Sequence, residues 1–363
     1  MSDNIAPKIA TKLVRFLVVS DTHNLRLRND RSLPFRSPPP DVDVVLHCGD
    51  LTDYGTAEDL RYAVEMIGSI KAELRLVIAG NHDLGLDRDT WLRLGGGEDA
   101  QKEAVQVMRG DFAQTHGVTY LPEGTYQFDL TNGARFSIYA SPRTPLWARN
   151  AFQFPAGEDP WNPPEAGVAP ECVTNTSTEQ SRIPAGVDIV MTHGPPHQVL
   201  DLTPTKKGPD ANAGCQCLRR AITRVRPRLH CFGHIHQSYG AQRVDWEDQE
   251  NEHDFTLLPR EPDGPIETWR RRYSKLSPAS VEAFALRKQT LFINAAIGNY
   301  HNKPRRMPWI VELDLPTSTF GSSSMQQEKV QQTEVNDSVF LHSSLSSEQS
   351  PSAKDSDHSS AKE

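Results

Sequence analysis

Five short segments each end an apolar run on a side chain able to bind a hard or borderline cation. They are Ser20-Asp21-Thr22-His23, Gly49-Asp50, Gly80-Asn81-His82-Asp83, Thr192-His193-Gly194 and Gly233-His234-Ile235-His236. The runs at 13–20, 42–48 and 74–79 lack polar alternation, as strands covered on both faces require. Such a chain must bury several strands side by side and let one ligand emerge where each strand ends. Between the second and third runs, Leu60, Ala63, Val64, Ile67 and Ile70 make one apolar stripe over a helix at 57–71. Strand, helix, strand is the βαβ unit of a layered α/β protein.

Further along, the pattern predicts a helix over 99–115 and strands at 135–140 and 187–191. A helix follows near 213–225, then strands at 229–232, 291–295 and 309–313. The later strands are joined mainly by loops, so a two-sheet sandwich flanked by helices fits better than a simple doubly wound sheet. No internal repeat is evident. Residues 1–12 read as an N-terminal extension and 13–316 as one domain. The Arg- and Pro-rich stretch at 25–40 is expected to form a loop over the site, and about 241–289 reads as a charged insertion. From 317 to 363 the chain is rich in Ser, Gln and Glu, too poor in apolar residues to offset its ordering entropy, and is expected to be disordered.

Bulk properties narrow the classes. A net charge of -8 argues against a general nucleic-acid binder. No run approaches the roughly 20 apolar residues of a membrane span, and residues 1–12 lack a signal-peptide core. Five cysteines without framework spacing point to a reducing compartment, cytoplasmic or nuclear. Cys48 and Cys231 read as small core hydrophobes. The partner expected is a small phosphoester, with no membrane; partners of the tail are not encoded.

The ligand inventory has its own logic. Asp21 and His23 are two apart at a strand end, as are His234 and His236, so both members of each pair can face one mouth if the backbone curls there. Glycine before Asp50 and before Asn81 permits a sharp turn and close approach to an ion. Two carboxylates, an amide and several imidazoles, without thiolates, suit a pair of divalent cations such as Mn, Fe, Zn or Co, with Mn preferred. Two such cations, offset by Asp21, Asp50 and one hydroxide, leave a positive mouth suited to a phosphate ester.

In their order, D-x-H, GD, GNH[DE], H and GHxH, these blocks resemble the calcineurin-like metallophosphoesterase superfamily. The wording SDTHN, HCGDLTDYGT, VIAGNHD, THGPPHQVLD and GHIHQSYG is similar to its metallophosphoesterase-domain-containing branch. The resemblance covers about 13–239 and resumes near 291–316. It implies a four-layer α/β/β/α fold. Asp21, His23 and His236 would hold one metal, Asn81, His193 and His234 the other, and Asp50 would bridge. Asn81 and His82 would contact substrate, and His82 would act as general acid or oxyanion stabiliser, oriented by Asp53. The implied reaction is phosphodiester hydrolysis, cyclic nucleotides included, by a metal-bridging hydroxide. Tyr54 stands where Ser/Thr phosphatases carry arginine, which disfavours a protein phosphatase. The rival readings are a phosphomonoesterase on the same site and a non-catalytic scaffold. Asp83 is expected to be structural and His47 to lie in the core or behind the ligands, while His230 is given no role. Asn24, Arg143 and His197 are further candidates for substrate contact. Trp147, Phe152, Phe154 and Trp161 are expected either to stack on substrate or to cover the sheet.

Overall fold

The computed structural model describes residues 10–26, 41–167, 174–205, 208–246, 255–257, 288–299 and 305–317. The first sheet contains β1 (Thr11–Val19), β2 (Val44–His47), β3 (Leu74–Val77) and β4 (Thr119–Tyr120). Chain order continues with β5 (Gly124–Asp129), β6 (Arg135–Ser141), β7 (Ile189–Thr192), β8 (Leu229–Phe232), β9 (Gly240–Asp245), β10 (Phe255–Leu257) and β11 (Gln289–Asn294). The last strand, β12 (Trp309–Pro316), returns to the first sheet. Its strand order is β12-β1-β2-β3-β4, and that of the second sheet is β10-β9-β11-β8-β7-β6-β5.

Direction is what positions the site. Strands β1 to β3 run parallel, and so do β6, β7, β8 and β11. Every segment singled out in the sequence follows a strand of one of these parallel sets. A parallel bridge from Ser20 to Ala296 ties the two sheets together at that end. Active sites of α/β proteins form at such carboxyl edges.

Apolar residues on both faces of each sheet explain the layering. Phe16, Val18, Leu46, Leu76 and Ile78 meet Phe136, Ile138, Ile189, Met191 and Leu291 in the core between the sheets. The outer face of the first sheet packs on α1 (Ala57–Gly68), through Leu60, Val64 and Ile67, and on α3 (Glu98–Arg109); the short α2 (Arg88–Arg93) lies between them in sequence. The second sheet's outer face packs on α5 (Gln216–Val225) through Leu218, Ala221 and Ile222. The molecule is thus helix, sheet, sheet, helix, as expected. Thr56 caps α1 by accepting from the Asp59 N–H.

Some details differ. The helix expected over 99–115 is broken into α3 and α4 (Asp111–Thr115) because Gly110 is extended (φ -94, ψ -167). Strands β5 and β9 were not read from the sequence. The second corrects the insertion boundary, since 240–245 pair with β11 from Gly240↔Asn294 to Asp245↔Gln289. Residues 27–40, 247–254, 258–287 and 318–363 lie outside the described residues, as do most of the expected loop, insertion and tail. The compact unit itself ends at residue 318. Among the described residues no helix is long and apolar enough to cross a membrane. Cys48, Cys215 and Cys231 are free and buried.

Candidate metal centre

At the end of β1 the chain turns through left-handed conformations at Asp21 (φ 57), His23 (φ 43) and Asn24 (φ 59). Asp50 (φ 51) and His234 (φ 67) do the same after β2 and β8. Each such position costs an L residue of order 1 kcal/mol, least for Asp, Asn and His. Ligand chemistry and backbone demand therefore select the same residue types. Glycines make the remaining space. A Cβ on Gly49, at φ +96, would stand 2.6 Å from both the Ala79 carbonyl oxygen and His193 Nδ1; one on Gly233 would collide with the Asp21 carboxylate.

Two trios assemble. Donor atoms of Asp21, His23 and His236 lie within 4.8 Å of one another, and so do those of Asp50, His193 and His234. Asp50 joins them: its Oδ1 is 3.4 Å from His193 Nε2, and its Oδ2 is 3.8 Å from His23 Nε2. Asn81 adds its Oδ1, 2.9 Å from His193 Nε2. His23 and His236 bring their Nε2 atoms within 3.4 Å of each other. All seven side chains expected to bind metal therefore converge.

The supports fix which ring nitrogen faces inward. His193 Nδ1 donates to the Cys48 carbonyl at 2.9 Å, and His236 Nδ1 donates to that of Asn299 at 2.8 Å. His23 Nδ1 lies 3.1 Å from Asp53 Oδ1. Each leaves Nε2 turned to the site, the arrangement by which outer partners orient metal-binding imidazoles. The seven donors are hard or borderline, as divalent Mn, Fe or Zn requires, and the facing Nε2 atoms of His23 and His236 would share a ligand between them. The residues fit two divalent cations.

Electrostatics agree. Burial opposes charge on His193, but Asp50 and Asp21 overcome it and push it up to about 9. Burial likewise opposes charge on His23, yet Asp53, Asp50 and Asp21 raise it to about 9. Burial also works against His236, which Asp21 nonetheless raises. His234 is pushed down to about 3 by burial and by neighbouring His193. Asp50 stays ionised: burial works against it, and His193, His23 and His82 hold it well below the usual carboxylate range.

Around the trios, Asp83 is structural, as expected. It accepts from the Leu51 and Gly80 N–H groups on Oδ2 and from the Thr52 N–H and hydroxyl on Oδ1, pinning the Asp50 loop to the Asn81 loop. Burial and nearby Asp50 push its carboxyl up to about 6 against those donors. The expectation that the Asp53 carboxylate steadies His82 is corrected. That carboxylate faces His23 and accepts from Asn24 Nδ2 at 3.3 Å, while His82 Nδ1 donates to the Asp53 backbone carbonyl at 3.1 Å. His82 also donates its own N–H to Asp50 Oδ1 at 2.8 Å, and its ring stands edge-on to His23, centroids 5.0 Å apart.

Other candidates divide. Arg143 is held by Glu123, 2.9 Å away. His197 Nδ1 lies 3.8 Å from the Asp201 carboxylate. Phe154 and Trp161 are buried in the core under α5, but Trp147 is 69% exposed and stands 6.3 Å from the His234 ring, at the mouth of the centre.

His47 lies behind the ligands, as expected; its threonine partner, and the matching pair at His230, were not read from the sequence. Buried His47 pairs through Nε2 with the Thr22 hydroxyl, which in turn reaches the Leu51 carbonyl. Buried His230 pairs likewise with Thr192, which reaches the Gly194 carbonyl. Thr22 lies between Asp21 and His23, and Thr192 precedes His193, so each metal trio has the same brace behind it. Burial drives both imidazoles neutral, to about 4 for His47 and about 3 for His230. The signal was present: Leu-His-Cys occurs at 46–48 and again at 229–231.

Comparison with known proteins settles the family. The family model described as calcineurin-like phosphoesterase matches residues 14–238. The chain belongs to that family. Metallophosphoesterase domain-containing protein 1 of Homo sapiens is 33% identical over 243 residues, 62% of this chain and 61% of that protein. A protein described as probable rhamnogalacturonate lyase C from Emericella nidulans is 33% identical over 68% of this chain, which is only 19% of its own length. The chain thus spans less than two thirds of both. Among solved structures, the phosphopantetheinyl hydrolase of Mycobacterium tuberculosis is 16% identical, with a TM-score of 0.35, over 69% of this chain and 97% of that one. The chain is therefore a member of a metal-dependent phosphoesterase family with two candidate metal-binding trios.

Proposed function

We propose that the protein is a phosphodiesterase that cleaves small phosphodiesters, cyclic nucleotides among them, with two divalent cations, preferably Mn. The observation that carries this reading is Asp50, one carboxylate reaching both trios. Asp21, His23 and His236 would hold one cation and Asn81, His193 and His234 the other, with Asp50 shared. Cations held there supply Lewis acidity toward phosphoryl oxygens and water acidified to near neutrality. His82 commits its Nδ1–H to the Asp53 carbonyl, so Nε2 is the nitrogen from which a proton can pass to the departing ester oxygen. Asn81 and His82 flank the substrate phosphate, and the Trp147 face offers an apolar surface for a base or an aromatic leaving group. Tyr54, 67% exposed, supplies no guanidinium to clamp a phosphomonoester, which favours the diester.

Purified protein supplied with Mn should cleave bis(p-nitrophenyl) phosphate faster than p-nitrophenyl phosphate, and EDTA should abolish both. Inertness of fully loaded protein toward generic diesters and cyclic nucleotides would refute the proposal, and a higher kcat/KM on the monoester would move the reading to a phosphomonoesterase.

A further inference from the structure

A cavity of about 840 Å³, apart from the metal centre, is lined in part by the segment 142–155. The same segment touches both. Its Ala151 N–H donates to the Asn81 carbonyl, and its Trp147 approaches His234, while Leu146, Arg149, Phe152 and Gln153 line the cavity. None of the seven metal-binding candidates lines it.

Its chemistry is unlike the rest of this acidic protein. Five arginines and three carboxylates line it. Two of the carboxylates are engaged, Asp87 accepting from the Thr90 and Phe152 N–H groups and Glu123 holding Arg143, while Asp89 is exposed to solvent. Among the described residues, no ion pair involves Arg93, Arg109 or Arg149. Leu86, Phe152 and Phe154 give the wall an apolar stretch. The volume falls within the range of small-molecule sites.

We propose that this cavity binds an organic anion with an apolar or aromatic body and at least two strongly acidic groups of the phosphate or sulfonate type. The anionic groups meet Arg93, Arg109 and Arg149 as charge-assisted pairs, and the body lies against Phe152. Because the ligand would rest on the segment that carries Trp147, its binding would be felt at the mouth of the metal centre.

The test uses full-length, Mn-loaded protein and 1,5-naphthalenedisulfonate, an aromatic dianion that is a poor metal ligand. Titration calorimetry should show saturable binding of one equivalent. Arg149→Glu, on an exposed loop position, should weaken it at least tenfold, as should Arg109→Ala with Arg149→Ala. Both variants should keep hydrolysing bis(p-nitrophenyl) phosphate. Absence of saturable binding would overturn the proposal, and so would affinity unchanged in both variants, which would place the probe elsewhere. Hydrolysis is read separately, so failure of this cavity to bind leaves the metal-centre reading intact, and the converse holds.

Discussion

His82 and the seven ligands make separable demands. His82 touches no trio through its ring nitrogens, since its Nδ1 is spent on a backbone carbonyl. His82→Ala should therefore keep two equivalents of metal by elemental analysis while kcat on a diester falls about 10²-fold or more, the usual worth of a positioned acid. Unchanged turnover would remove His82 from the chemistry. His234→Ala should instead lose one equivalent together with activity. Trp147 makes a different prediction: Trp147→Ala should raise KM for an aromatic diester several-fold and leave that for an alkyl diester unmoved, because only a flat substrate loses a contact. Most of this site was legible in the sequence, because metal ligands must be particular residue types and here left-handed backbone selects the same types. What could not be read were the carbonyls of Cys48, Asn299 and Asp53 that orient the rings, since every residue has a carbonyl and only the fold decides where it points. The true job of the Asp53 carboxylate, behind His23 rather than His82, was hidden for the same reason.

Strands and their terminal turns were readable where burial is complete. The runs ending at Ser20, Cys48 and Ala79 are apolar on both faces because helices and the second sheet cover them, and continuous apolarity is visible without an alignment. Strands β5 and β9 were missed because they pair at or near the rim of the second sheet, where β5 is exposed at Thr125 and Gln127 and only half-buried at Tyr126 and Phe128, and β9 carries Gln, Arg and Asp among its six residues. The break at Gly110 was passed over because the apolar stripe continues across it. The turn after β2 permits a sharp test. Gly49→Ala must place a methyl against the Ala79 carbonyl and His193 Nδ1 while holding a positive φ. It should cost about 2–4 kcal/mol in urea unfolding and lower metal occupancy, because the methyl displaces the ring that binds. Wild-type stability with full occupancy would mean that the turn relaxes freely and that the glycine is not required. The braces behind the trios belong to the same level of organisation. They explain why a histidine three residues before Asp50 and another four before His234 stay neutral and buried: each holds a threonine whose hydroxyl fixes the next turn.

Taken as one body, the two sheets gather seven ligands at one edge, and the metal-free protein must answer the charge they create. Ionised Asp21 and Asp50 sit among imidazoles, and the answer is protons: His23 and His193 are raised to about 9, and His236 is raised as well. A folded pKa above the unfolded value near 6.5 stabilises the fold fully below pH 6.5, and that contribution is lost as pH rises through about 9. Metal-free protein should therefore lose stability between pH 7 and 9.5. Protein loaded with two cations should not, since the ions then carry the charge that the protons carried. Exchange of protons for metal also has a stoichiometry. At pH 7.5 His23 and His193, both raised to about 9, each hold a proton on the nitrogen that a cation must take, so loading should release at least about two protons. Calorimetric titration of Mn into metal-free protein, in buffers of different ionisation enthalpy, reads that number from the slope of observed heat against buffer enthalpy. The slope should shrink as the pH passes 9. A heat independent of buffer at pH 7.5 would mean that the imidazoles are already neutral and that the carboxylates at this edge are balanced by something other than their histidine neighbours.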